Sequence, residues 1–259
     1  PMQVTAQLGP MDPWEIAGAG VLNVKSGGSV STNFTLGIPA GAWGAYQVPV
    51  SYTLQGPDWK LQASDRVPLG SGRVREWHVV GPFPNQSGLA IDTTVHPPEQ
   101  RMDLTATYDS PAGPLSWKPV SSKEGNLNLQ ELLGDGKLQV GYGVCVLRAA
   151  QAVPVELTVG GPSGVSVYVN NRLLIQSTRR WRTRAVTLQP GDNVIVCIAC
   201  STASAWSLSL NVQPLEPLMP GVLSQVPAAE MPAIRALRSS AADLPEGKEL
   251  PFAEGQDWK

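Results

Sequence analysis

Apolar and polar residues alternate along the first third of the chain, as in Val30, Thr32, Phe34 and Leu36 and again in Tyr46, Val48, Val50 and Tyr52. A period of two is the mark of strands with one face buried and one face wet. No helical period competes with it, and Gly and Pro break the runs where the chain must turn. Residues 1–70 are therefore expected to form a small β-sandwich. Val67 to Val74, "VPLGSGRV", loses the alternation and is the expected linker.

A second series of strands follows over residues 75–213. "REWHVVGPF", "LQVGYGVCVLRA", "VPVELTVGG" and "AWSLSLNV" each suit a strand. "GVSVYVNNRLLIQS" predicts a hairpin at Asn170-Asn171, residue types that tolerate left-handed backbone. "RAVTLQPGDNVIVCIAC" predicts another, turning at Pro190-Gly191-Asp192-Asn193. "NLQELLGDGK" holds the one short helical turn expected before the C-terminal region. About eight strands in about 140 residues suit a double-sheet jelly roll. Residues 214–259 are rich in Pro and Ala and read as an extended tail with a short helix around Ala228 to Ser239.

Composition sharpens this picture. The chain has 26 Gly, 24 Pro and only 3 Phe in 259 residues, the profile of short strands punctuated by turns. A net charge of −2 gives no electrostatic reason for nucleic-acid or anionic-membrane binding. No stretch approaches the roughly 20 apolar residues of a spanning helix. The chain opens at Pro1, as a processed product would. Three cysteines, Cys145, Cys197 and Cys200, are too few for a disulfide framework.

Several pieces in order resemble a bacterial extracellular module of the galactose-binding-like, jelly-roll class. They are Trp77, Gly81-Pro82-Phe83-Pro84-Asn85, Asp92-Thr93, Pro97-Pro98-Glu99 and Trp117-Lys118. Gly164-Val165, Val167-Tyr168-Val169-Asn170, Pro190-Gly191, Asn193 and Trp206-Ser207-Leu208 continue the likeness. Residues 1–70 resemble the immunoglobulin-like sandwiches that flank catalytic domains in bacterial surface proteins. The resemblance implies an all-β protein of two sandwiches with a non-catalytic sugar-binding or packing role. The acidic pair that usually precedes the module's G-V-x-V strand is Pro162-Ser163 here, and the Gly of its N-G turn is Asn171. That departure puts any polar-ligand or ion site at this turn in doubt.

Three groups of residues invite a chemical reading. Both histidines, His78 and His96, lie near Glu76, Asp92 and Glu99. Strand alternation places Trp77 inward and His78 on the outer face, and Pro97 holds His96 extended on a loop. No zinc-ligand spacing results, so no metal is expected. Cys197 and Cys200 match C-x-x-C, but in a strand residues three apart point to opposite faces. They are expected to be buried apolar fillers.

The third group, Thr178 to Arg184, is the densest positive patch and carries Trp181 at its centre. Arg and Trp together can stack on a sugar or grip an anion. Arg179, Arg180, Trp181, Arg182 and Arg184 are the candidate ligand or partner residues, joined by Asn170 and Trp206 from the module-like segments. No nucleophile elbow, phosphate loop or HExxH occurs. The expectation is a non-enzymatic carbohydrate-binding or accessory module of a bacterial surface or secreted protein, extracytoplasmic and without a cofactor. The alternative is a structural subunit docking, through its sandwich faces and tail, into a larger envelope or membrane-associated assembly. Its partners would be glycans, other protein subunits or both.

Overall fold

The computed structural model describes residues 2–9, 11, 14–18, 20–38, 43–100, 102–111, 113–161, 163–178 and 181–233. Strands hold 58% of the residues against 6% in helix, which makes the protein all-β. Two compact units divide the described residues: those of 1–72 with 214–224, and those of 73–213 with 225–233. The segment expected as one tail is divided between them as far as residue 233, with a 3-10 turn at Ala228–Ala233 where the short helix was expected; the rest of both lies outside the described residues.

The first unit contains β1 (Met2–Leu8), β2 (Glu15–Ala17), β3 (Gly20–Val24), β4 (Thr35–Gly37), β5 (Gly44–Gln55) and β6 (Lys60–Ser71). A four-stranded antiparallel sheet runs β3-β1-β5-β6, and β2 pairs with β4 in a separate ribbon. Alternation along β5 buries Tyr46, Val48 and Val50. Met11, Trp14, Tyr46 and Val48 form the core, with Ile16 and Leu36 of the ribbon packed against them. Two expectations change here. The alternating run from Val30 forms strand only at Thr35–Gly37. Of the expected linker, Val67 to Val74, residues 67–71 belong instead to β6, which pairs with β5 through Ser71 opposite Gly44, and the division between the units falls just after them, at Gly72.

The second unit contains β7 (Glu76–Pro84), α1 (Pro97–Gln100), β8 (Thr107–Tyr108), β9 (Leu115–Ser116), β10 (Lys118–Ser121), β11 (Asn126–Asn128) and α2 (Leu129–Leu133). It continues with β12 (Gln139–Ala149), β13 (Val153–Gly160), β14 (Gly164–Val169), β15 (Arg172–Ser177), β16 (Trp181–Leu188), β17 (Gly191–Ser201) and β18 (Ser207–Pro214). The larger sheet has the order β10-β7-β12-β17-β14-β15 and the smaller one β11-β18-β13-β16. Asn170 and Asn171, with φ of 48° and 65°, make the β14–β15 hairpin turn. The second expected hairpin does not form. β16 pairs with β13 and β17 with β12 and β14, so the Pro190–Asn193 turn carries the chain from one sheet to the other.

Leu208 of the smaller sheet and Trp77 of the larger meet over Gly143, where a Cβ would lie 3.0 Å from Leu208 and 3.2 Å from Trp77. The opposite face of the larger sheet is also covered. Val80, Phe83, Val140, Tyr142, Val144, Val146 and Cys200 pack there against Leu104, Tyr108, Trp117, Val226 and Met231. The cover is thus drawn from the crossover after β7 and from residues just past 224. Val226 N donates to Val146 O at 2.9 Å, and Ala228 N to Glu76 Oε2 at 3.1 Å.

Burial on both faces explains the near-continuous apolar runs of β7 and β12. It also corrects the placement of His78. Paired opposite Val144, His78 lies under this cover and is 3% exposed, with Nδ1 unpartnered. Burial lowers its pKa below the ordinary imidazole value.

Candidate functional site

Trp181 opens β16, the outermost strand of the smaller sheet. It stands opposite Gly160 on β13, with Arg182 opposite Val159, Thr183 opposite Thr158 and Arg184 opposite Leu157. Val159 and Leu157 are fully buried, so alternation leaves Trp181, Thr183, Thr158 and Gly160 on the solvent side. Trp181 is 57% exposed.

The indole ring occupies the space over Gly160: a Cβ there would lie 2.3 Å from Trp181 Cζ3 and 2.8 Å from Ser209 Oγ. Ser209, on the neighbouring strand β18, therefore borders the ring. The hydroxyls of Thr158 and Thr183 share a hydrogen bond of 2.9 Å. Along β18 the buried residues alternate with Ser207, Ser209 and Asn211, and Asn126 is exposed on β11. An aromatic surface thus borders a field of hydroxyls and amides, which can donate and accept in several directions.

Arg182 and Arg184 occupy the alternate row, on the side of buried Val159 and Leu157, and emerge half-buried at the rim of the sheet. Arg184 Nη1 donates to Thr183 O at 3.2 Å. Arg179 and Arg180 lie outside the described residues.

Asn170 and Trp206 are both engaged within the fold, Asn170 at an exposed turn and Trp206 in the interior. Asn170 Oδ1 accepts from Val194 N, and its Nδ2 donates to Asn193 Oδ1, both at 2.9 Å. Both ends of its amide tie the hairpin turn to β17. Trp206 is 4% exposed, donates from Nε1 to Gly134 O at 3.0 Å and fills the space beside Gly136 and Gly141. No ligand can reach a ring so enclosed.

The histidine region also departs from expectation. His96 does stand on a loop, directly before α1, but it is buried there, 5% exposed. Pro97 occupies the first helical position, and Glu99 reaches back so that Oε1 accepts from His96 N at 3.2 Å. The Tyr142 hydroxyl donates to the same Oε1. His96 Nε2 meets Asp92 Oδ2 at 3.0 Å, and Asp92 Oδ1 accepts from Ser87 N and Thr94 N.

Burial pushes the Asp92 carboxyl up, but hydrogen bonds from His96, Thr94 and Ser87 outweigh it and hold the group below its ordinary value. Glu99 goes the other way: burial raises it despite the hydroxyl of Tyr142 and the His96 N–H. The side chains of His96 and Asp92 are 6% and 3% exposed, so this network pins the crossover. Among the described residues no group of three His, Cys, Asp or Glu side chains converges to hold a metal.

The cysteines are free and buried. Cys145 and Cys197 share the side of Gly143, while Cys200 lies on the covered side with Tyr142. Burial lifts the Cys197 thiol to about 12 and the Cys200 thiol to about 11, far from nucleophilic poise.

Sequence reasoning passed over Tyr142, Ser209, Thr158 and Gly160. The His96-Pro97-Pro98-Glu99 run carried a readable signal, since Pro at the first helical position and Glu two residues later mark a helix start.

No family model matches the chain, and no curated protein matches it. Solved structures resemble it weakly. One is an anti-sigma factor domain-containing protein, 10% identical, with a TM-score of 0.29 over 88% of this chain and 76% of that one. Another is the GH31 alpha-xylosidase from Xanthomonas citri, 11% identical, with a TM-score of 0.26 over 73% of this chain and 29% of that one. Scores this low fix neither the fold type nor a role.

Proposed function

We propose that this protein is a non-catalytic carbohydrate-binding or accessory module of a bacterial surface or secreted protein. It is built as an immunoglobulin-like sandwich followed by a jelly-roll, galactose-binding-like sandwich, and it works outside the cytoplasm without a cofactor. The observation that carries this reading is Trp181, exposed on the solvent side of the smaller sheet and bordered by Ser209, Thr158 and Thr183. A sugar ring has an apolar face that suits an indole and a rim of hydroxyls that suits such neighbours. The enclosed Asp92–His96–Glu99 network suits pinning of a loop better than catalysis.

Affinity electrophoresis through gels cast with a panel of polysaccharides tests the proposal. At least one polymer should retard the protein, and Trp181→Ala should abolish the retardation while leaving the circular dichroism unchanged. A folded protein that ignores every glycan at millimolar sugar overturns it.

A second reading, a structural subunit of an envelope assembly, draws on β6. This twelve-residue edge strand is exposed along most of its length, with Leu61 at 57% and Val67 at 47%. A bare edge of this kind can accept a partner strand. Under that reading Trp181→Ala is silent, and charged substitutions at Leu61 and Val67 abolish assembly in size-exclusion chromatography with the partner.

A further inference from the structure

We propose that the glycan bound at the Trp181 face is acidic, a polymer with carboxylates on its sugar rings, and that Arg182 and Arg184 are its anion contacts. The inference rests on the glycan-binding reading and goes further by naming the ligand class.

Charge segregation is the first support. From Leu157 to Gly191 the chain carries five arginines (172, 179, 180, 182 and 184) and no Asp, Glu, Lys or His. Over the whole chain acids outnumber basic residues, 21 to 19, so this concentration is local. Of these, Arg182 and Arg184 share β16, Arg172 opens β15 of the larger sheet, and Arg179 and Arg180 lie outside the described residues. A local excess of positive charge raises the concentration of an anionic ligand nearby.

Geometry is the second support. Arg182 and Arg184 sit two residues apart on the outermost strand, so their Cα atoms are about 7 Å apart, twice the strand rise. Both project from the row opposite Trp181, at the rim. A chain lying on the indole and bending over that rim would meet two guanidinium forks in succession. No carboxylate among the described residues pairs with either arginine, whereas Arg148 holds Asp192 at 2.7 Å. The nearest acid on the paired strand, Glu156, stands opposite Ala185 on the solvent side and not in the arginine row.

Chemistry selects the anion. A guanidinium is a planar double donor that matches a carboxylate with two parallel hydrogen bonds. Nucleic acid fits less well, because among the described residues of the smaller sheet Trp181 is the one exposed indole, which gives no series of stacking platforms, and the net charge is −2.

The test uses the full chain and three uronic-acid polymers, polygalacturonate, alginate and hyaluronan, each beside its carboxyl-reduced neutral counterpart. At least one acidic polymer should bind tenfold or more tightly than its neutral form. An Arg182→Gln, Arg184→Gln double variant should erase that preference, while the Arg182→Lys, Arg184→Lys pair, which keeps the charge and loses the fork, should retain part of it. Trp181→Ala should weaken both forms.

Neutral polymers that bind as well as acidic ones, with Trp181→Ala still disruptive, overturn this inference and leave the glycan-binding reading standing. Equal binding of single-stranded DNA of matched charge also overturns it. Absence of binding to any polymer, acidic or neutral, removes both.

Discussion

Trp181 and Gly160 face each other directly across the β13–β16 pair, and the indole takes the volume that a side chain at position 160 would need. The absence of a side chain at Gly160 is therefore part of the candidate binding surface, although it can touch a ligand only through the ring it seats. Gly160→Val should lift the indole off the sheet without disturbing the core, since position 160 belongs to the solvent-side row. The expected loss is about 2 kcal/mol of glycan affinity, roughly 30-fold. Gel retardation measures it, and wild-type retardation by the valine variant would remove the ring's role.

Asp92 and His96 should be costly to separate. Asp92 also accepts the backbone N–H groups of Ser87 and Thr94, so Asp92→Ala strands three donors in a buried place. Breaking one partner out of a buried pair costs about 3–5 kcal/mol. Urea unfolding at pH 7 should show a drop of that order, with the midpoint lower and the slope unchanged. A loss under about 1 kcal/mol would mean that water already reaches the pair.

Glu99 gives a pH dependence of opposite sign. Its carboxyl is raised, so the folded protein holds this proton more tightly than the unfolded chain does. The stability from that site is complete at acid pH and is lost as pH rises through the raised value. Glu99→Gln still accepts from Tyr142 and His96 N but carries no charge. Its stability should match wild type near pH 4 and exceed it at pH 7.5, as read by urea midpoints. Identical profiles would refute the assignment. The depressed Asp92 works in reverse, its contribution being lost as pH falls through the depressed value.

Asn193 closes the crossing between the two sheets. Its Oδ1 accepts from Asn170 Nδ2 and Gln189 N, while its Nδ2 donates to Gln189 O and Gly191 O. It is fully buried, so Asn193→Ala leaves several groups without partners. A loss of about 3 kcal/mol is expected, since each orphaned buried group costs about 1–3. Thermal unfolding checks it.

The parts of this fold that could be read from the sequence are those decided by local chemistry. Asn170-Asn171 announced a hairpin because both residues tolerate positive φ. Alternation in β5, β13 and β18 announced one buried face apiece. The turn at Pro190–Asn193 shows where local reading stops: the residues specify a turn but not whether the strands beside it share a sheet. His78 shows the same limit. Its face follows from alternation, but its burial depends on Val226, Met231 and the crossover, which come from distant parts of the chain. At the candidate site Trp181 was visible as an aromatic among arginines. Its neighbours Gly160 and Ser209 became visible only when the strand order placed β13 and β18 beside it.

The covered face of the larger sheet also sets an order of events during synthesis. Val144, Val146 and Tyr142 leave the ribosome about eighty residues before Val226 and Met231, which finish their cover. Until those last residues emerge, part of this apolar surface lacks its final layer and can adhere to other nascent chains. A chain stopped at residue 224 would keep every strand pairing among β7 to β17 and still carry that bare patch permanently. Residues 226–231, part of the segment that composition presents as an extended tail, are thus the step that makes the newly made sheet safe in a crowd.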